Sequence, residues 1–149
     1  MLIAAVLVTV HLLALLTCIV FLAGRSALLR PEVGEARRSF GPLLRRLDRI
    51  YWAALLTLGA SGILLTVFGP YGPAYYGRNI LLVLMAVGWL ALLLQAAFVT
   101  HRLGKITHGG IGSDEAAFTR LRSSLMAQGH FFGLIVIFGV FLAMGYGRL

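Results

Sequence analysis

The sequence ILLVLMAVGWLALLLQAAFVT, residues 80–100, contains no charged side chain. About 20 apolar residues in a helix cross the ~30 Å hydrocarbon core of a membrane, so this run predicts a transmembrane helix. Three comparable runs lie at residues 2–23, 51–69 and 131–146. With 60% hydrophobic and 12% charged residues, a soluble bundle would have no polar face for water. Residues 1–149 are therefore predicted to form one all-α domain, an integral membrane four-helix bundle.

The basic residues predict how this bundle is oriented. The chain has 13 Lys and Arg, 5 Asp and Glu, and a formal net charge of +8. Only Arg78 and Arg148 fall outside the two connecting segments 24–50 and 101–130. By the positive-inside rule these segments face the cytoplasm, and both termini face the opposite side. Because the positive charge follows this topology, it does not indicate nucleic-acid binding.

The first cytoplasmic segment is also a candidate for lipid binding. A basic residue near an anionic membrane surface contributes about 1 kcal/mol to attraction of the headgroups. The alternative is that these arginines only fix the topology. The candidate residues are Arg37, Arg38, Arg45, Arg46 and Arg49.

His11 is the most informative polar residue within a predicted span. At about 1.5 Å per residue it lies roughly 14 Å below the outer end of its helix, near the middle of the membrane. An imidazole at that depth needs a partner. Two interpretations stay open. His11 ligates the iron of a haem, or it bonds to a hydroxyl or carbonyl, such as that of Ser61 at similar depth.

A second candidate group lies in residues 80–100. Met85, Gly88, Leu92 and Gln95 recur every three or four residues, so they share one helix face. An amide is costly in lipid, and Gln95 therefore predicts that this face points into the bundle. The Met85 thioether is a possible second ligand to haem iron, although packing is the alternative. Gly88 and Gly62 would leave room for a macrocycle, or equally for close helix packing.

Other chemistry is less well supported by the sequence. His101 and His130 are predicted near the cytoplasmic surface, with His108, Asp114 and Glu115 between them, but their spacing matches no established metal-ligand motif. Solvated interfacial histidines are the preferred interpretation. No predicted span contains an acidic residue to carry protons or cations, which argues against a transporter.

Several short stretches together resemble a known family. They are HLLA at 11–14, RLDRIY at 46–51, GPAYYGRN at 72–79 and AMGYG at 143–147. This pattern resembles the bacterial four-helix membrane proteins catalogued as domain of unknown function 2214. The resemblance covers nearly the whole chain and implies a multi-pass protein of the bacterial inner membrane.

The resemblance also implies a cofactor. The family is similar to the CopD-like proteins and to the HemJ-type protoporphyrinogen oxidases, which hold haem b between a histidine of the first helix and a lysine of the third. The histidine corresponds to His11. The lysine position falls at or near Met85, so the second expected ligand is missing, and this departure argues against the enzymatic activity.

These observations favour a haem-b-binding redox or accessory membrane protein. His11 is the predicted haem-iron ligand, with Met85, Gly62 and Gly88 as further cofactor-binding candidates. A non-catalytic subunit that packs on a larger respiratory or photosynthetic membrane complex, or on copies of itself, is the main alternative. A HemJ-like porphyrinogen oxidase is the third.

The predicted orientation can be tested with a C-terminal reporter. A reporter that is active only in the cytoplasm, fused after Leu149, is expected to stay inactive, because the inverted topology would carry both basic segments across the membrane. The same reporter inserted within residues 24–50 serves as the positive control. Activity of the C-terminal fusion would contradict the orientation.

Overall fold

The computed structural model describes residues 2–30, 40–69, 71–108 and 115–147. Within these ranges the chain is helical and contains no β-strand, which confirms the predicted all-α class. The helices are α1 Leu2–Leu28, α2 Gly41–Phe68, α3 Gly72–Tyr76, α4 Ile80–His108 and α5 Glu115–Ala143.

Four of these helices are long and apolar enough to span a membrane. Large hydrophobic side chains remain exposed on their outer faces, among them Leu2, Ile63 and Leu94 at 79%, 65% and 74% exposure. Such surfaces are compatible with lipid rather than with water. The four candidate spans are Leu2–Leu28, Gly41–Phe68, Ile80–Lys105 and Phe118–Ala143.

The helices extend beyond the apolar runs seen in the sequence. α2 begins at Gly41 rather than at residue 51, with a proline in its first turn. Proline suits that position because its missing N–H would be unpaired there in any case. α5 begins at Glu115 rather than at residue 131. Arginine, leucine and glutamine are good helix formers, so the change from apolar to basic sequence does not end a helix.

The long helices form two pairs. α1 packs along α2 and α4 packs along α5, while contacts of α1 with α5 and of α2 with α4 close the bundle. Each pair is antiparallel. In the first, His11 of α1 lies beside Ser61 of α2, and Arg25 lies beside Asp48. In the second, Gly88 of α4 lies beside Ile135 of α5, and Gln95 lies beside Ser124. In this arrangement α1 and α4 occupy diagonal positions.

One close contact between the two pairs depends on Gly59 of α2. The Trp89 ring of α4 lies directly against Gly59, where an added Cβ atom would overlap it. The indole Nε1 of Trp89 donates a hydrogen bond of 3.1 Å to the carbonyl of Leu55. Gly59 therefore permits both the approach of α4 and the hydrogen bond of its tryptophan.

The inward face predicted for α4 is confirmed, and it packs on α5. Leu92 is fully buried, and Gln95 Nε2 donates a hydrogen bond of 3.2 Å to the carbonyl of Ser124. A Cβ atom on Gly88 would lie 2.9 Å from Ile135, so the glycine allows close packing of these two helices.

The end of the bundle that carries α3 is closed by the C-terminal residues. Asn79 Nδ2 donates a 2.9 Å hydrogen bond to the carbonyl of Tyr146, and Ile80 N donates one of 3.1 Å to that of Gly147. Gly147 has φ 86°, a conformation that other residues rarely adopt. The hydroxyl of Tyr75 donates to the carbonyl of Leu142 at 3.1 Å, which holds α3 against α5.

The tyrosines of this end form a cluster. The ring centroids of Tyr75 and Tyr71 are 4.7 Å apart, and those of Tyr75 and Tyr76 are 5.1 Å apart. Burial, followed by the neighbouring Tyr75 and Tyr71, raises the pKa of Tyr76. Tyr76 thus stays neutral to a higher pH than an isolated tyrosine would.

Gly59→Ala is expected to lower the free energy of unfolding by about 1–3 kcal/mol, because Trp89 must move and its hydrogen bond to Leu55 is disturbed. Gly133→Ala is the matched control, since nothing lies within 4 Å of a Cβ atom placed there. The control is expected to change stability by less than about 1 kcal/mol, in the stabilising direction. Thermal unfolding in detergent measures both, and equal midpoints would contradict the contact.

Candidate functional site

His11 lies at the interface of α1 and α2, bonded to the hydroxyl that the sequence suggested. Its Nδ1 is 2.9 Å from Ser61 Oγ. Ser61 Oγ is in turn 2.7 Å from the carbonyl of Thr57 and 3.1 Å from that of Leu58. Because the single hydroxyl hydrogen of Ser61 donates to its own helix, Nδ1–H of His11 is assigned as the donor to Ser61. The lone pair of this imidazole then resides on Nε2.

Gly62 is the only one of the other cofactor candidates that the described contacts place beside His11. A Cβ atom on Gly62 would lie 3.4 Å from His11 Cε1. The glycine thus lets the imidazole ring lie close to the backbone of α2.

Met85 and Gly88 face a different helix. Met85 Cε lies 3.4 Å from a Cβ position on Gly139 of α5, and Gly88 packs on α5 as well. The described contacts therefore place His11 between α1 and α2, and Met85 between α4 and α5. The structure does not gather the predicted haem-binding residues into one cluster.

Among the histidines whose side chains the structure describes, His101 and His130 form no metal site. His101 and His130 are exposed, and His130 Nδ1 bonds at 2.8 Å to the carbonyl of Met126 in its own helix. No group of three or more His, Cys, Asp or Glu able to hold a metal ion occurs among the described residues. Asp114 and the side chains of His108 and Glu115, named in the sequence-based metal interpretation, lie outside the described part of the chain.

The candidate lipid-binding arginines are only partly covered by the structure. Arg45, Arg46 and Arg49 are exposed near the start of α2, where they are free to meet lipid headgroups or solvent. Arg37 and Arg38 lie outside the described residues. Lipid binding by this group stays a prediction.

A second polar site, not identified from the sequence, occupies the end of the bundle opposite α3. Arg25 of α1 and Asp48 of α2 are 1% and 4% exposed, and Nη1 of Arg25 donates to Oδ1 of Asp48 at 2.5 Å. Thr100 Oγ1 of α4 donates to Oδ2 of Asp48 at 2.8 Å. Trp52 Nε1 donates to Thr100 Oγ1, also at 2.8 Å.

Tyr51 extends this network to α5. The guanidinium carbon of Arg25 lies 3.9 Å from the centroid of the Tyr51 ring, a cation–π contact. Gln128 Nε2 of α5 donates a hydrogen bond of 2.9 Å to the Tyr51 hydroxyl. All four long helices therefore contribute to one buried polar network, defined by Arg25, Asp48, Thr100, Trp52, Tyr51 and Gln128 and called here the inner network.

The expectation of spans without an acidic residue holds for the predicted runs 2–23, 51–69, 80–100 and 131–146, but not for the longer candidate span of α2. Asp48 lies in the candidate span Gly41–Phe68 and is buried there. Helical spacing in the sequence could have identified the buried charges of this network. On α1 the buried stripe Ala14, Cys18, Leu22 and Arg25 advances by three or four residues, which places Arg25 on the inward face.

These features can be compared with known proteins. A family model described as predicted membrane protein (DUF2214) matches residues 3–147. The chain belongs to this family. The match confirms the resemblance inferred from the sequence and supports a membrane protein of unknown activity. No curated protein and no solved structure matches the chain.

Asp48→Asn is expected to destabilise the protein by about 3–5 kcal/mol, because it leaves the buried charge of Arg25 without a counter-charge. Replacing both members, Arg25→Leu with Asp48→Leu, is expected to recover most of that loss. Arg49→Gln, at an exposed neighbouring position, serves as the control and should stay within about 0.5 kcal/mol. Thermal unfolding midpoints of all these variants, measured in one detergent, test the prediction. If the loss of stability in the double variant equals the sum of the losses in the two single variants, Arg25 and Asp48 do not stabilise each other.

Proposed function

We propose that this chain is a haem-b-binding redox or accessory protein of the bacterial inner membrane, in which His11 would ligate the haem iron. The observation that carries the proposal is the hydrogen bond between His11 Nδ1 and Ser61 Oγ, 2.9 Å long. Histidines that ligate metals commonly donate their other ring N–H to a protein oxygen, which fixes the tautomer and the ring orientation. Here that bond leaves Nε2 as the ligating atom.

The residues around His11 fit a haem in part. The imidazole is half-buried between two apolar helices, and Gly62 gives it space on the side of α2. Met85 packs toward α5 and not toward His11, so the proposal depends on His11 alone. A second ligand is not assigned.

A bound b-type haem would supply reversible one-electron transfer, with a potential set by its ligands and by the surrounding polarity. The residues of this chain have two roles in that proposal. Ser61 holds the imidazole in one orientation, and the apolar side chains of the bundle keep water from the ligand.

The second candidate function is a non-catalytic subunit of a larger membrane complex, or of a homo-oligomer. The specific observation in its favour is that Ser61 gives Nδ1 of His11 a hydrogen-bond partner without any cofactor. The exposed Arg45, Arg46 and Arg49 would then contact anionic headgroups at the membrane surface. A HemJ-like oxidase is less well supported than either, because Met85 replaces the expected lysine.

The visible spectrum of the purified protein tests the main proposal. A Soret band is expected in the wild type and should disappear in His11→Ala. His130→Ala is the matched control, because His130 is exposed and bonds only within its own helix in the described contacts. Ser61→Ala is expected to retain haem with an affinity about 10–100-fold lower, since His11 loses its orienting partner.

Two results would contradict the placement at His11. Haem retained in His11→Ala but lost in His101→Ala or His130→Ala would move the site to the opposite end of the bundle. A wild-type protein without a Soret band, expressed with excess haem, would favour the role of a non-catalytic subunit.

A further inference from the structure

The inner network contains buried polar atoms that have no partner among the described residues. They are Nε and Nη2 of Arg25 and Oε1 of Gln128. The two side chains are 1% and 0% exposed, so bulk water does not reach them. Both side chains contact Tyr51: Arg25 lies over the face of the Tyr51 ring, and Gln128 bonds to the Tyr51 hydroxyl. The unpartnered atoms therefore belong to two side chains that both contact Tyr51, where α1, α2 and α5 meet.

The acceptors already present are in use. Oδ1 of Asp48 accepts from Nη1 of Arg25, and Oδ2 accepts from Thr100. Nε–H and one Nη2–H of an arginine point along the same edge of the guanidinium plane, where they suit an acceptor lying between them. This edge of Arg25 thus requires an oxygen acceptor that the described side chains do not provide.

What Gln128 requires of an occupant depends on the orientation of its amide. In the present orientation of the amide, Nε2 donates to the Tyr51 hydroxyl, and Oε1 has no donor among the described residues. If the amide is rotated so that the Tyr51 hydroxyl donates to Oε1, then Nε2 becomes the atom that awaits an acceptor. A molecule that both accepts and donates satisfies Arg25 and Gln128 in either orientation. An oxyanion satisfies both side chains only when the amide is rotated, and a cation satisfies neither donor of Arg25.

Charge and size favour the same occupant. Arg25 and Asp48 form a neutral pair, so an added anion would leave a net negative charge in a region of low dielectric constant. The near-complete burial of both side chains also excludes a bulky ligand unless the helices move. We propose that the edge of Arg25 and the amide of Gln128 bind ordered water beside Tyr51, as buried polar groups commonly do.

This hydration site would complete a polar path across the end of the bundle. Thr100 is half-buried, and its hydroxyl leads through Asp48 to Arg25. Water on the free edge of Arg25 continues the path to Tyr51 and Gln128. The site lies about 21 Å along α1 from His11, so it does not depend on haem binding there.

Proton-detected solid-state NMR of the wild-type protein in lipid nanodiscs tests the proposal directly. Magnetisation from water is expected to reach Arg25 Nε–H at least threefold faster than Trp89 Nε1–H. The Trp89 group is a matched reference, because it is bonded to the carbonyl of Leu55 inside the bundle. Equal or slower transfer to Arg25 would overturn the proposal. A phosphorus contact to Arg25 Nε would overturn it too, in favour of a lipid headgroup or a free phosphate.

Hydroxyl-radical labelling supplies an independent test. Radiolysis of bound water is expected to oxidise Tyr51 at least threefold faster than Tyr75, although both rings are buried, at 0% and 7% exposure. Gln128→Met, which removes the amide at similar volume, should lower the labelling of Tyr51. Gln95→Met is the control variant, and labelling of Tyr51 that responds equally to both changes would count against the site.

Discussion

The buried ion pair between Arg25 and Asp48 is the interaction on which one end of this bundle depends. Neither charge is tolerable alone at 1% and 4% exposure, so each requires the other. Their pairing fixes the rotation of α1 relative to α2, and the second carboxylate oxygen of Asp48 binds Thr100 of α4. The charges therefore specify which helices meet there, a task for which apolar packing in lipid provides little direction.

The sequence predicted the fold well because the membrane imposes a strong length and polarity constraint. It also named Ser61 as one possible partner of His11, since depth along a helix can be counted at 1.5 Å per residue. The rotation of α4 about its axis was partly predicted from the sequence, because Gln95 indicates which face points into the bundle. Which neighbour that face meets was not readable, so Met85 was considered with His11 although it packs on α5.

The inner network was missed for a different physical reason. Charged residues beside an apolar run are usually loop or surface residues, and Arg25 and Asp48 were therefore assigned to the connecting segment. The structure shows that both helices continue past the apolar runs and keep their inward stripes. If the three- or four-residue spacing of the inward stripes is extended into the charged segments, both residues are identified as buried. The spacing does not show that they pair.

The two members of the ion pair also belong to the same helical hairpin, 23 residues apart in the chain. During synthesis both charges leave the ribosome before any part of α4 does. The two buried charges of the first hairpin can therefore neutralise each other before α4 is made. Thr100 and Gln128 arrive afterwards, and their hydrogen bonds to Asp48 and Tyr51 can form only when the second hairpin docks in the correct register. The order of the chain thus separates neutralisation of the charges from recognition between the hairpins.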